Sequence, residues 1–205
     1  MKKIIICNIP MKEKTDKCAY ATDDLSLNIS GREVIYPITA FLEKNLKDAD
    51  EVKLLLLIKK DEAGHYQKNS ADFVEEILCI NKEIGAKIEH KYIETDFSEE
   101  QSVHEQLMGR IVDELENNSH IIADITYGPK DLPIVLFSAL NFAEKFLGCE
   151  IDNIIYGQAN FINGKPTNTK ICDMIPLYYL NSVTNTIRCD DPEKARKMLK
   201  SLLSL

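Results

Sequence analysis

The sequence predicts an α/β fold built on one doubly wound, mostly parallel sheet. Residues 3–9, 52–58 and 121–125 are near-continuous apolar runs rich in isoleucine, valine and leucine. Such runs mark strands buried on both faces, as in a parallel sheet. Between them lie segments whose apolar residues recur at helical spacing. Strands alternating with helices indicate βαβ units.

Taken in order, the first strand covers 3–9 and stops at Pro10. Residues 11–33 are polar and mixed. They read as a short hairpin or an irregular excursion around Asp23-Asp24 and Ser30-Gly31. Pro37 opens a helix carrying Ile38, Phe41, Leu42 and Leu46 on one face. The second strand is 52–58. A helix over 70–85 presents Phe73, Val74, Ile77, Leu78 and Ile84, and Gly85 closes it. Residues 87–93 alternate, as an edge strand would. Ser98 is expected to start a long helix, with Glu100-Gln101 supporting its cap. Residues 121–125 form the next strand, 132–147 a strongly apolar helix ended by Gly148, and 152–156 a strand broken at Gly157. Asn163-Gly164 then signals a hairpin between 159–161 and 167–171. Helices over 176–182 and 192–203 finish the chain. The fold expected is thus Rossmann-like over residues 1–160. A C-terminal extension over 161–205, a hairpin and helices, is expected to pack on the same domain.

A chain of 205 residues with 44% hydrophobic and 28% charged residues can bury a sizeable core. Its formal net charge of −8 argues against a nucleic-acid-coating role. It leaves room for a compact anion held by local donors. No apolar run approaches the length of a membrane span, and the first strand is too short for a signal-peptide core. The cysteines at 7, 18, 79, 149, 172 and 189 are scattered without C-x-x-C spacing. They read as reduced thiols of a cytoplasmic protein. His65, His90, His104 and His120 form no metal pattern in sequence, and no cofactor fingerprint is present, so neither metal nor cofactor is expected.

One stretch carries chemistry. In "IIADITYGPKDLP", residues 121–133, a strand gives way to a helix across Asp124, Thr126, Gly128 and Lys130. Ligands of open α/β sheets bind outside the carboxyl ends of the strands. Gly128 permits a turn that other residues resist. Asp131 fits an N-cap, and Pro133 fits the first helical turn. The helix start then aims free N–H groups and a positive dipole end at the crevice. Lys130 adds a mobile cation. This is anion-binding chemistry, with phosphate the natural candidate. The same features also suit an ordinary strand–turn–helix corner, with Asp124 accepting turn amides and Thr126 capping. The segment is neither a P-loop nor a G-x-G-x-x-G turn. Asn8, Ile9, Pro10, Gln158 and Asn160 end on the same sheet edge.

The segment "DITYGPKDLP", a long apolar helix and then "IIYG" at 154–157 resemble the CRISPR-associated Rossmann fold (CARF) domains of type III systems. Their pattern, D-[IV]-T-x-G-x-[RK]-x-x-P followed by a helix and a strand ending Y-G, is matched by Asp124, Thr126, Gly128, Lys130, Pro133, Tyr156 and Gly157. The resemblance follows element order over residues 1–160 and is specific over 121–157. Members often carry His where Tyr127 stands and Arg where Lys130 stands. Asn8-Ile9-Pro10 replaces a glycine-rich turn after the first strand.

The resemblance implies a homodimeric receptor for cyclic oligoadenylate, cyclic tetra- or hexa-adenylate, in antiviral defence. No membrane or DNA partner is expected. Asn8, Ile9, Pro10, Asp124, Thr126, Gly128, Pro129, Lys130, Asp131, Leu132, Gln158 and Asn160 would contact the ring. If the ring is also cleaved without metal, Thr126, Tyr127 and Lys130 are the catalytic candidates. A sensor without catalysis, working through a separate effector, and a nucleotide- or sugar-phosphate enzyme stay open beside it. No R-x(4–6)-H ribonuclease motif or helix-turn-helix accompanies the domain, and Glu51-Val52-Lys53 begins a core strand rather than a nuclease site. The chain is therefore expected to stand without a fused effector.

Overall fold

The structure is a computed structural model and describes residues 1–203 apart from Lys14 and Phe97. Its elements are β1 (Lys2–Asn8), α1 (Pro37–Asn45), β2 (Glu51–Ile58), α2 (His65–Ile84), β3 (Lys87–Glu94) and α3 (Gln101–Glu114). There follow β4 (His120–Asp124), α4 (Leu132–Phe146), β5 (Glu150–Ile162), β6 (Lys165–Asp173), α5 (Ile175–Thr186) and α6 (Pro192–Leu202). The strands form one sheet in the order β3-β2-β1-β4-β5-β6. β1 to β5 are parallel and β6 is antiparallel to β5. This is a Rossmann-like order, with β3 at one edge as the alternating pattern of residues 87–93 anticipates.

The apolar strands are buried on both sides. Ile5, Cys7 and Ile9 join Ile38 and Leu42 of α1 and Phe73 and Ile77 of α2 in one core cluster. Ile4 and Ile6, on the opposite face of β1, are equally buried. α3 and α4 pack on each other and bury Leu107, Ile111, Leu136 and Leu140. Each such side chain contributes about 1.5–3 kcal/mol of transfer free energy. The chain runs outward from β1 to β2 and β3, then crosses to β4 on β1's other side. The switch point lies between β1 and β4, where Cys7 pairs with Asp124.

Three local expectations change. α3 starts at Gln101 rather than Ser98, and its Glu100 cap position makes no side-chain capping bond. α2 starts at His65, because the Asp61 carboxylate accepts the amides of His65 (3.3 Å) and Tyr66 (3.4 Å). β5 does not break at Gly157. β6 returns along it from Ile155–Asp173 to Ile162–Lys165, so the ladder continues through the glycine.

Among the described residues of 9–36 there is no hairpin. They are an irregular excursion with two isolated bridges, Cys18–Val34 and Ala21–Lys170. Side chains from the sheet and α2 fasten it. Leu27, Val34 and Tyr36 are buried. The Asn69 amide donates to the carbonyls of Pro10 (2.7 Å) and Lys12 (2.9 Å). Glu76 reaches across from α2 to accept Ile35 N–H (2.7 Å), Tyr36 N–H (3.3 Å) and the Thr39 hydroxyl (3.2 Å). It thereby serves the start of α1, which has no side-chain cap of its own. Burial raises the Glu76 carboxyl pKa against the pull of those donors.

The chain divides into two compact units, Met1–Ile175 and Pro176–Leu205. The hairpin expected in a C-terminal extension belongs to the first unit, since β6 is hydrogen-bonded along β5. In the second unit the Asp191 side chain caps α6, accepting Glu193 N–H at 2.9 Å and Lys194 N–H at 3.3 Å. No helix among the described residues is long and apolar enough to cross a membrane. The six cysteines are free thiols, with Cys7 and Cys149 buried and Cys79 exposed.

Candidate anion-binding site at the switch point

The last residues of β4 turn sharply because their polar groups are satisfied locally. Asp124 is 1% exposed, and its Oδ1 accepts the Thr126 amide at 2.8 Å. The Ile38 amide at the start of α1 also favours its charged form. Burial pushes this carboxyl up to about 6, against the opposing bond from Thr126. The Thr126 hydroxyl accepts Gly157 N–H at 2.7 Å, tying the ends of β4 and β5 together. Gly157 must lie close: a Cβ there would meet Pro37 Cγ at 2.3 Å.

Tyr127 turns inward. Its hydroxyl donates to the Ile35 carbonyl at 3.0 Å, and its ring meets Tyr36 edge-on at 5.8 Å. Burial pushes its phenol well above the ordinary value, so it stays protonated at neutral pH. Gly128 follows with φ +115°, a backbone state that favours glycine. With the Asn8 amide turned to suit its neighbours, its oxygen accepts Gly128 N–H at 3.1 Å and its nitrogen donates to Leu57 O at 3.2 Å.

The start of α4 opens next. Leu132 N–H bonds Pro129 O at 3.2 Å, and Ile134 N–H bonds Asp131 O at 2.9 Å. Among the described residues, the amides of Lys130 and Asp131 enter no backbone hydrogen bond there. Lys130 is exposed and has no ion-pair partner among the described residues. Asp131 occupies the N-cap position, yet its side chain makes no capping bond. His104 Nε2 from the first turns of α3 pairs with its carboxylate instead. That pairing draws the carboxylate off the helix axis, and it brings to the motif a histidine that is remote in sequence.

The expected contact residues therefore separate. Asn8, Ile9, Pro10, Asp124 and Leu132 are buried and build the corner. Thr126, Tyr127, Gly128, Pro129, Lys130 and Asp131 reach the surface there. Gln158 and Asn160 are exposed but alternate with Ala159 and Phe161, which line the crevice beside Thr126 and Tyr127. That crevice, of about 200 Å³, is walled on its far side by Lys12, Thr15 and Tyr20 of the irregular excursion. Lys12 Nζ lies 5.6 Å from the centre of the Phe161 ring, within cation–π range. The Thr15 hydroxyl is buried there without a partner among the described residues. Nothing in the local sequence of residues 12–20 announces this wall; the Asn69 tether supplies it.

A wider hollow, about 390 Å³, opens at the opposite sheet edge among Lys2, Lys53, Glu51 and Glu116. Its charges are already paired, Lys2 with Glu116 at 2.8 Å and Lys53 with Glu114 at 3.0 Å. Among the described residues, the switch-point corner differs in presenting a lysine without an ion-pair partner beside the start of a helix. Comparison with protein-family models gave no match, and comparison with curated proteins gave none either.

Proposed function

We propose that the chain is a homodimeric cytoplasmic receptor for a cyclic oligoadenylate of four or six units, as its resemblance to CARF domains implies. One observation carries the reading: at the start of α4, on the switch point of a Rossmann-like sheet, stand a lysine and amides that have no partner among the described residues. A helix N-terminus and a lysine suit a phosphate. The neighbouring crevice offers Tyr20, Tyr127, Tyr156 and Phe161, whose rings suit a nucleobase. A ring of four or six adenylates has a two-fold axis, which an isologous dimer shares.

The outer side of α4 supports the dimer. Ile134 and Phe146 are 70% and 71% exposed, and Phe137 and Phe142 are half-buried. These large apolar side chains stand among exposed Ser138 and Lys145, and a partner that covered them would remove apolar surface from water. A second copy packed on this face would bring two Lys130 corners to one ring.

Receptor action without cleavage is favoured by the Tyr127 hydroxyl. Tyr127 spends its proton on Ile35 O, and Thr126 holds Gly157 N–H. The signal would then pass through a separate effector protein. Calorimetry with cyclic tri-, tetra- and hexa-adenylate, followed by chromatography of the mixtures, tests the reading. One ring per two chains is expected, recovered intact. Lys130→Ala should weaken binding by about 1.5–3 kcal/mol, the range for a charge-assisted hydrogen bond, while His65→Ala should not. Absence of binding by any ring, or equal binding by both variants, would refute the site. Linear fragments ending in 2′,3′-cyclic phosphate would make the protein a ring nuclease, with the ring's own 2′-hydroxyl as nucleophile.

A further inference from the structure

A second cluster of donors lies at the other end of β4. Parallel register sets His120 opposite Glu150. A bulge follows: Ile121 pairs with Ile151 but Ile122 pairs with Asn153, which makes Asp152 the extra residue. Bulges re-aim side chains. Here Asp152 Oδ1 comes within 2.9 Å of His120 Nδ1, while Glu150 Oε2 lies 3.7 Å from the same nitrogen. The three donor atoms all fall within 4.8 Å of one another.

Two carboxylates thus converge on one imidazole nitrogen. That nitrogen carries at most one hydrogen, so a hydrogen bond accounts for Asp152 at 2.9 Å and leaves Glu150 beside it without a role in the bond. A divalent cation answers both. Donors about 2.0–2.2 Å from a shared zinc-like ion stand roughly 3.0–3.6 Å apart, close to the two separations from His120 Nδ1. The His120 and Asp152 side chains are only 22% and 29% exposed and form a firm base. The Glu150 side chain, 76% exposed, is free to swing in.

We propose that His120, Glu150 and Asp152 bind a divalent transition-metal ion, zinc or a similar cation, at the sheet edge remote from Lys130. An imidazole among carboxylates selects this class over calcium or magnesium, which take oxygen donors. Three protein donors leave a position for water. The ion would lock the first residues of β4 to the bulge of β5.

The test uses the full chain, stripped with a chelator and kept reduced. Cobalt(II) is followed by visible absorption, and zinc by calorimetry. One ion per chain is expected, without a sulfur-to-cobalt charge-transfer band. Asp152→Asn and Glu150→Gln, which keep side-chain shape, should each weaken binding by more than about tenfold, while melting like the parent when metal-free. Lys130→Ala should bind metal normally. No uptake, uptake unchanged in both variants, or a thiolate band assigning the metal to cysteines would each overturn the proposal.

Discussion

Asp124 shows how a single side chain couples the corner to pH. Burial raises its carboxyl from 3.8 to about 6, so the fold favours the protonated form. That preference stabilises the protein fully below the unfolded value. It is lost as pH rises through about 6, above which the ionised carboxylate costs on the order of 3 kcal/mol. Asp124→Asn keeps an oxygen for Thr126 N–H and removes the ionisation. Denaturant unfolding between about pH 3 and 8 should find the variant more stable than the parent near pH 8, with the difference vanishing near pH 3. Glu76, whose carboxyl is also raised by burial, tilts both proteins alike. Parallel profiles would show that Asp124 is ionised at little cost.

Between elements, one glycine lets the end of the β4–β5 ladder close against α1. Gly157 donates to Thr126 Oγ1 and lies against Pro37 at the start of α1. Its backbone is ordinary extended strand, so the requirement is for space rather than for a left-handed turn. A methyl group would fall 2.3 Å from a proline ring atom that is fixed in the helix start. Gly157→Ala should therefore destabilise the first unit by about 1–3 kcal/mol, as overpacking does. It should also weaken ligand binding, by displacing Thr126 from the crevice wall. A melting point and an affinity equal to the parent's would mean that α1 can slide aside freely.

For the molecule as a whole, the proposed dimer rests on the exposed side of α4. If two copies meet there, Ile134→Glu or Phe146→Lys buries a charge in an apolar contact and should leave a monomer by light scattering. Ring binding should weaken in step, because each subunit would hold only half the phosphates. A parent that is strictly monomeric, free and with ligand, would remove both the dimer and the two-fold site.

Much of the architecture follows from local composition. The runs at 3–9, 52–58 and 121–125 are strands because isoleucine, valine and leucine pack on both faces of a sheet. α4 was legible from apolar residues behind Pro133, and the hairpin from Asn163-Gly164. Part of the corner was legible too, since Asp124 accepts the amide two residues on and Gly128 takes a left-handed backbone state, whereas the Thr126 bond to Gly157 is long-range. What the tertiary structure alone decided is non-local. Residues 9–36 take their course from Asn69 and Glu76 on α2, more than thirty residues on. Tyr127 faces inward because its acceptor is Ile35, and His104 reaches Asp131 because α3 packs on α4. His120, Glu150 and Asp152 meet through parallel register and a bulge. Propensity acts along the chain, whereas hydrogen bonds and ion pairs are chosen by whichever partner the fold brings within about 3 Å.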